Sequence, residues 1–153
     1  MRKLDTIRTL LAAQSTLTLA TVDADGRPRA TPLFYLAGEG LRLYWFSSSA
    51  SLHSRNVMRA GEVSAAVFTE TDAWRKIRGA QMRGAVSQVR EAGLRQTVTA
   101  QYVERFHLST APRLALRRAT LYCLAPKWIR YLDNARRLGY RFEMELAETA
   151  EQG

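Results

Sequence analysis

The sequence predicts a mainly β fold, a β-barrel with peripheral helices, and three observations carry that expectation. Short stretches of alternating apolar and polar residues recur along the chain, led by Leu17-Thr18-Leu19-Ala20-Thr21-Val22. Turn signals at Asp25-Gly26 and Gly38-Glu39-Gly40 separate the first three stretches by few residues, as in a hairpin meander. Helical periodicity occurs too, but in short segments, so strands dominate the core.

The elements follow in order. Leu4, Ile7, Leu10 and Leu11 share one face of a helix that reaches about Gln14. Leu17 to Asp23 alternates and is rich in β-formers, hence a half-buried strand. After the Asp-Gly turn a second strand starts at Pro28 and runs through Phe34, Tyr35 and Leu36, and a third covers Leu41 to Phe46. The short loops predict that these three strands pair antiparallel in succession. A helix spans about Leu52 to Ala60 and ends at Gly61. Val63 to Thr69 is a fourth strand, and Ile77 to Val89 a fifth, with Gly79 and Gly84 as bulges or points of close approach. Leu94, Val98, Tyr102 and Phe106 have helical spacing, and Pro112 to Arg118 continues as helix. Thr120 to Tyr131 is a sixth strand, bent or at an edge because of Pro126, and Tyr140 to Leu146 a seventh.

With 153 residues, 46% of them hydrophobic, the chain is expected to form one domain over residues 1–147, with 148–153 as a flexible tail. Cys123, the single cysteine, sits in an apolar run, so no intrachain disulfide can form and a buried hydrophobe is expected there. The opening residues fit neither a signal peptide nor a membrane span, which points to a cytoplasmic protein. A net charge of +9 invites a nucleic-acid reading. The arginines are scattered, though, without a base-reading helix or zinc-finger spacing, so nucleic acid is not the expected partner. Arginines also serve phosphate-bearing small ligands.

Three segments carry candidate chemistry. Ser47, Ser48, Ser49 and Ser51 follow an aromatic strand and precede a helix, with His53 and Arg55 in its first turns. Hydroxyls and unpaired N–H groups at a positive helix terminus suit a phosphate, and a plain N-cap with loop serines suits the same residues. Pro32 within Arg29-Ala30-Thr31-Pro32-Leu33-Phe34-Tyr35 removes a ladder donor. It marks either an ordinary edge strand or a place where a ligand replaces the neighbour. In Arg78-Gly79-Ala80-Gln81-Met82-Arg83-Gly84 the glycines allow a flat ligand to approach, or simply bulge a strand with a basic face. His53 and His107 form no metal-binding spacing, and no nucleophile elbow or P-loop is present.

The order of these motifs resembles the pyridoxamine 5'-phosphate oxidase-like, FMN-binding split-barrel superfamily. Asp25-Gly26-Arg27-Pro28 with Thr31-Pro32-Leu33-Phe34-Tyr35 is similar to its opening hairpin. Leu43-Tyr44-Trp45-Phe46-Ser47 with Ser51-Leu52-His53 and Arg55-Asn56-Val57 is similar to its aromatic–hydroxyl strand and phosphate-binding helix start. Ile77 to Gly84 resembles its fifth strand, and Lys127-Trp128-Ile129-Arg130 with Asp133-Asn134 the ending of a small branch. The resemblance implies an antiparallel split β-barrel of Greek-key type and a homodimer with FMN at the subunit interface. It implies that Ser47, Ser51 and His53 take the phosphate, that Asn56 of the same helix is a further cofactor-binding residue, and that Thr31 faces them. Pro32, Leu33 and Phe34 would border the isoalloxazine ring, with Tyr44, Trp45 and Phe46 on the strand beneath it. Arg78, Gln81 and Trp128 would approach from the partner subunit.

Two departures qualify the expectation. Thr31 and His53 stand where many members carry arginine and lysine, and the substrate-binding arginine and histidine of true pyridoxamine-phosphate oxidases have no counterpart. The implied activity is a flavin-dependent oxidoreduction of some other small molecule. The alternatives are a deazaflavin or haem in the same fold, or a non-catalytic flavin- or nucleic-acid-binding module.

Overall fold

The computed structural model describes residues 2–147, so the expected tail, 148–153, lies outside the described residues. Among the described residues eight strands form one sheet, every pairing antiparallel: β1 (Thr16–Val22), β2 (Pro28–Phe34), β3 (Leu36–Ala37), β4 (Leu43–Ser47), β5 (Glu62–Phe68), β6 (Arg78–Gln88), β7 (Thr120–Asp133) and β8 (Arg141–Glu145). The order is β2-β1-β5-β6-β7-β4-β3, with β8 on the far half of β7. The sheet curls into a half-barrel, and four helices sit around it: α1 (Lys3–Ala13), α2 (Leu52–Ala60), α3 (Ala92–Arg105) and α4 (Thr110–Arg118). None of the helices among the described residues is long and apolar enough to cross a membrane.

Alternation places the core. Leu17 and Leu19 of β1, Val63, Ala65 and Val67 of β5, Met82 of β6, Leu43 and Trp45 of β4, and Tyr122, Leu124, Ile129 and Tyr131 of β7 all turn inward. Ile7, Leu10 and Leu11 of α1 and Val57 of α2 join the same cluster. Each Leu, Ile, Val or Met among them contributes about 2 kcal/mol on leaving water. Leu4, expected on the buried face of α1, is instead exposed. A second cluster, Tyr44, Val98, Leu121 and Cys123, forms where α3 covers the outside of β4 and β7. Burial there pushes the Cys123 thiol up to about 11, as suits a buried hydrophobe.

The expected three-strand meander is only half realised. β1 and β2 pair over their whole length, from Thr16 with Phe34 to Val22 with Pro28. The second and third expected strands touch only through two residues, Leu36 with Tyr44 and Ala37 with Leu43, because the chain leaves β2 at Tyr35. That ring is buried and its hydroxyl donates to the Leu11 carbonyl at 2.6 Å, turning the backbone out of line. β4 then pairs with β7 instead. The result is an unpaired gap between β2 and β4, which makes the barrel a split one.

β6 and β7 run together from Arg78 with Asp133 to Gln88 with Tyr122, and their register shifts between Arg83 and Gly84. Arg83 faces Trp128 and Gly84 faces Pro126, so Lys127 is the extra residue of a β-bulge. Pro126 therefore does not interrupt β7; it sits inside a strand that continues to Asp133. At Gly84 a Cβ would lie 2.1 Å from the Ala125 carbonyl oxygen, so the two backbones meet where only glycine fits. Gly84→Ala is expected to destabilise the protein by about 2 kcal/mol or more, because backbone rather than a side-chain tip must move. Gly26→Ala, strained by φ +88° but with open space around it, should cost about 1 kcal/mol. Urea denaturation of both variants checks the order.

Candidate functional site

Beside the gap between β2 and β4, three of the sequence-derived candidates, Ser47, Ser51 and His53, come together. Ser47 ends β4 with the inward parity of Leu43 and Trp45, and α2 begins five residues later. Ser51 caps α2: its backbone is extended, and its Oγ accepts from the Ser54 N–H at 3.3 Å. The same Oγ donates to the Ser48 carbonyl at 2.8 Å and lies 3.3 Å from His53 Nε2. Ser47 Oγ is 2.6 Å from that nitrogen. The cap and the cluster thus coexist, since Ser51 closes the helix while Ser47 and His53 pair beside it.

Burial, and secondarily the positive charge of Arg29, push the His53 pKa below its ordinary value. A neutral imidazole results near pH 7, able to donate or accept toward Ser47. Arg29, Thr31 and Leu33 have one parity on β2, half-buried, and pair with Thr21, Leu19 and Leu17. They therefore share the inward face of the sheet with Ser47, and Arg29 is near enough for its charge to act on His53. Pro32 and Phe34 have the other parity and are exposed. β2 carries no strand on its outer side among the described residues, which is the edge position that Pro32 suggested.

A charged tie fixes α2 to the β1–β2 hairpin. Arg29 donates from Nε and Nη2 to the two carboxylate oxygens of Asp23, each at 2.9 Å. Asn56 Nδ2 donates to Asp23 at 2.7 Å and to Thr21 Oγ1 at 3.1 Å, while Arg59 donates to Asn56 Oδ1 at 2.9 Å. The Arg29 and Asn56 hydrogen bonds hold the Asp23 carboxyl down at about 2.

Several expected site residues are placed elsewhere. Asn56 is buried and spends its amide on Thr21, Asp23 and Arg59, so it is a framework residue rather than a ligand contact. Trp45 points into the barrel and stacks on Tyr122 with ring centroids 6.0 Å apart, because inward parity alternates along β4. Tyr44 is buried against α3, which leaves Phe46 as the half-buried aromatic next to Ser47. Gln81 and Trp128 point outward, with Arg130 opposite Gln81 and the Arg83 guanidinium 4.8 Å from the Trp128 ring. Arg78 does not join them: three residues from Gln81, it has the opposite parity and reaches Asp133 at 4.0 Å. Trp128 is also eight residues along β7 from Thr120, the partner of Ser47, roughly 26 Å of strand.

Sequence reasoning missed two features. The Arg29–Asp23 pair could have been found from the hairpin register, which puts both residues at the same end of a two-stranded ribbon. The other is a run of rings bridging the gap. Phe46 meets Tyr102 at 5.1 Å, Tyr102 meets Phe106 at 4.6 Å, and Phe106 meets Phe34 at 5.4 Å. Helical spacing revealed Tyr102 and Phe106 as a face but not what that face covers.

Because the Asp23 pKa is depressed on folding, its stabilisation is present above the ordinary carboxylate value of 3.8 and is lost as pH falls toward about 2. Acid unfolding should therefore steepen between pH 4 and pH 2. Asp23→Asn, followed by circular dichroism, should flatten that part of the pH–stability curve and lower stability at pH 7.

The family model described as Pyridoxamine 5'-phosphate oxidase matches residues 4–133. None of the curated proteins matches the sequence. Among solved structures, the conserved hypothetical protein Rv2991 from Mycobacterium tuberculosis is 21% identical with a TM-score of 0.76, over 97% of this chain and 94% of that one. HutZ, the heme storage protein from Vibrio cholerae, is 26% identical with a TM-score of 0.68, over 82% and 91%. A heme binding protein from Mycobacterium smegmatis is 17% identical with a TM-score of 0.69, over 91% of this chain and 56% of that one.

Proposed function

Since the chain belongs to the Pyridoxamine 5'-phosphate oxidase family, we propose that it is one subunit of an FMN-binding homodimer and a flavin-dependent oxidoreductase for a small molecule. The observation that carries this reading is the cluster of Ser47, Ser51 and His53 at the start of α2, with Arg29 near enough for its charge to act on His53. Hydroxyls, an imidazole and the first N–H groups of a helix form a donor set for a phosphate, with a guanidinium adding positive charge nearby. Thr31 and Leu33 border the same gap from β2, and Phe46 and Phe34 supply rings at its two margins. These residues fit a phosphate-bearing planar group.

FMN would supply two-electron and one-electron transfer at its ring. The chain's own residues would hold the phosphate, orient the ring along β2, and keep water from one side of it. His53, neutral by burial, would gain a proton more readily next to a phosphate dianion, so binding favours its charged form. Gln81 and Trp128 lie on the outward face, far from Ser47 along β7. That separation supports a site completed by a second copy, whose Gln81 and Trp128 would approach the ligand held by Ser47 and His53. The outward face of β1, β2, β5 and β6 supports such a contact. Apart from Phe34, which meets Phe106 at the end of α3, it is rich in small, partly or fully exposed residues such as Ala20, Ala30, Ala66 and Gly79.

A haem reading draws on the haem-binding proteins HutZ and that from Mycobacterium smegmatis. Within this chain it needs an axial ligand, and His53 is already engaged by Ser47 and Ser51. FMN is the better match to that donor set.

The Ser47→Ala/His53→Ala double variant keeps the Ser51 cap, so it should fold. Its dissociation constant for FMN, read by quenching of flavin fluorescence, should rise at least tenfold. Riboflavin, which lacks the phosphate, should bind both proteins alike. An unchanged FMN constant removes the phosphate assignment, and a Soret band in place of flavin bands on reconstitution moves the reading to haem.

A further inference from the structure

A cleft of about 670 Å³ between α3 and α4 is separate from the gap that holds Ser47 and His53. Its floor includes Ala100 and Val103 of α3 and Leu114 of α4, and its walls carry Arg95, Arg113 and Arg117. Among the described residues no Asp or Glu lines it.

The three arginines are not equivalent. Arg95 Nη2 donates to the carbonyls of Leu116 and Ala119 at 3.1 and 3.0 Å, closing the end of α4 onto α3. It also lies 5.6 Å from the Phe46 ring. Arg113 and Arg117 have no ion-pair partner among the described residues, and they stand one helical turn apart on α4, on the side that faces the cleft.

The attachment of α4 is unusual. None of its residues is buried, and Leu114 is 51% exposed although it borders the cleft. Leu116 is its one half-buried residue, so the Arg95 hydrogen bonds carry much of the attachment of the helix. An apolar floor with two uncompensated guanidinium groups above it is complementary to a molecule with an apolar body and one anionic end. A cleft of this size accepts a small ligand.

We propose that the α3–α4 cleft is a second binding site, for a small amphipathic anion whose carboxylate or phosphate is held by Arg113 and Arg117. The apolar body lies on Ala100, Val103 and Leu114 and gives α4 the packing it lacks in the free chain. This site does not depend on the flavin reading.

Titration calorimetry on the full chain tests it, with octanoate and octyl phosphate as probes below their micelle concentrations. Inorganic phosphate and octanol are the controls. Both amphipathic anions should bind saturably, one per chain, and each control at least tenfold more weakly. The relative strength of octanoate and octyl phosphate distinguishes a carboxylate ligand from a phosphate one. Arg113→Gln/Arg117→Gln should weaken the anions at least tenfold and leave FMN binding unchanged. Both positions are exposed, so the variant should keep its melting temperature. Ser47→Ala/His53→Ala should leave anion binding unchanged. Undiminished binding in the arginine variant, no saturable binding in the wild type, or equal loss in the Ser47 and His53 variant each overturns the site. So does a Leu114→Asp variant that converts an oligomer to monomers, which would seat a second copy in the cleft.

Discussion

The whole arrangement hangs on the close approach of β6 and β7 at Gly84. Without a side chain there, the backbones of Gly84 and Ala125 come together and the bulge at Lys127 can form. The bulge lets one long strand serve three partners: β6 along its length, β4 on its first half and β8 on its second. It also lets β7 turn two different surfaces outward. The part near Leu121 and Cys123 lies under α3, and the part near Trp128 and Arg130 is left open. The open outer face of the second half of β7 follows from that division, while the gap between β2 and β4 follows from the inward turn at Tyr35.

A second constraint acts at the hairpin. Asp23 accepts from Arg29 and Asn56 together, so the β1–β2 ribbon and α2 cannot shift independently. The start of α2, with Ser51 and His53, is therefore set relative to β2 by polar contacts rather than by the apolar core alone. It suits a site whose function is to present donors in a defined position, since such donors need no rearrangement when a ligand arrives. It also keeps Arg29 occupied by a carboxylate, so its positive field acts on His53 in a partly neutralised form.

Much of this was legible from local pattern. The period-two alternation of Leu17 to Val22 and the Asp-Gly turn gave the hairpin. Ser51 read correctly as a helix start, and Gly84 as a point of close approach. What pattern could not supply was partner choice. The third expected strand looked ready to follow the second, yet it pairs with β7, since nothing local announces that Tyr35 turns inward toward Leu11. Trp45 and Phe46 were equally aromatic in the sequence, and only the parity imposed by the barrel sends one inward and leaves the other beside Ser47. Asn56 was expected at the cofactor only through the family resemblance, and distant residues, Thr21 and Asp23, took its amide. Arg78 and Gln81 were grouped although a spacing of three reverses the face of a strand, an inconsistency that the sequence alone could have exposed.

The unpaired margin of β2 has a consequence for how the molecule behaves in company. A free strand edge is a template on which another chain can add, and proteins that keep one must blunt it. β2 carries Pro28 and Pro32 at positions of the same parity, where the missing N–H groups would have pointed away from β1. An incoming strand would find that row of donors broken twice within seven residues. Tyr35 opens the barrel at this margin, and the two prolines make the edge it leaves a poor template for an added strand.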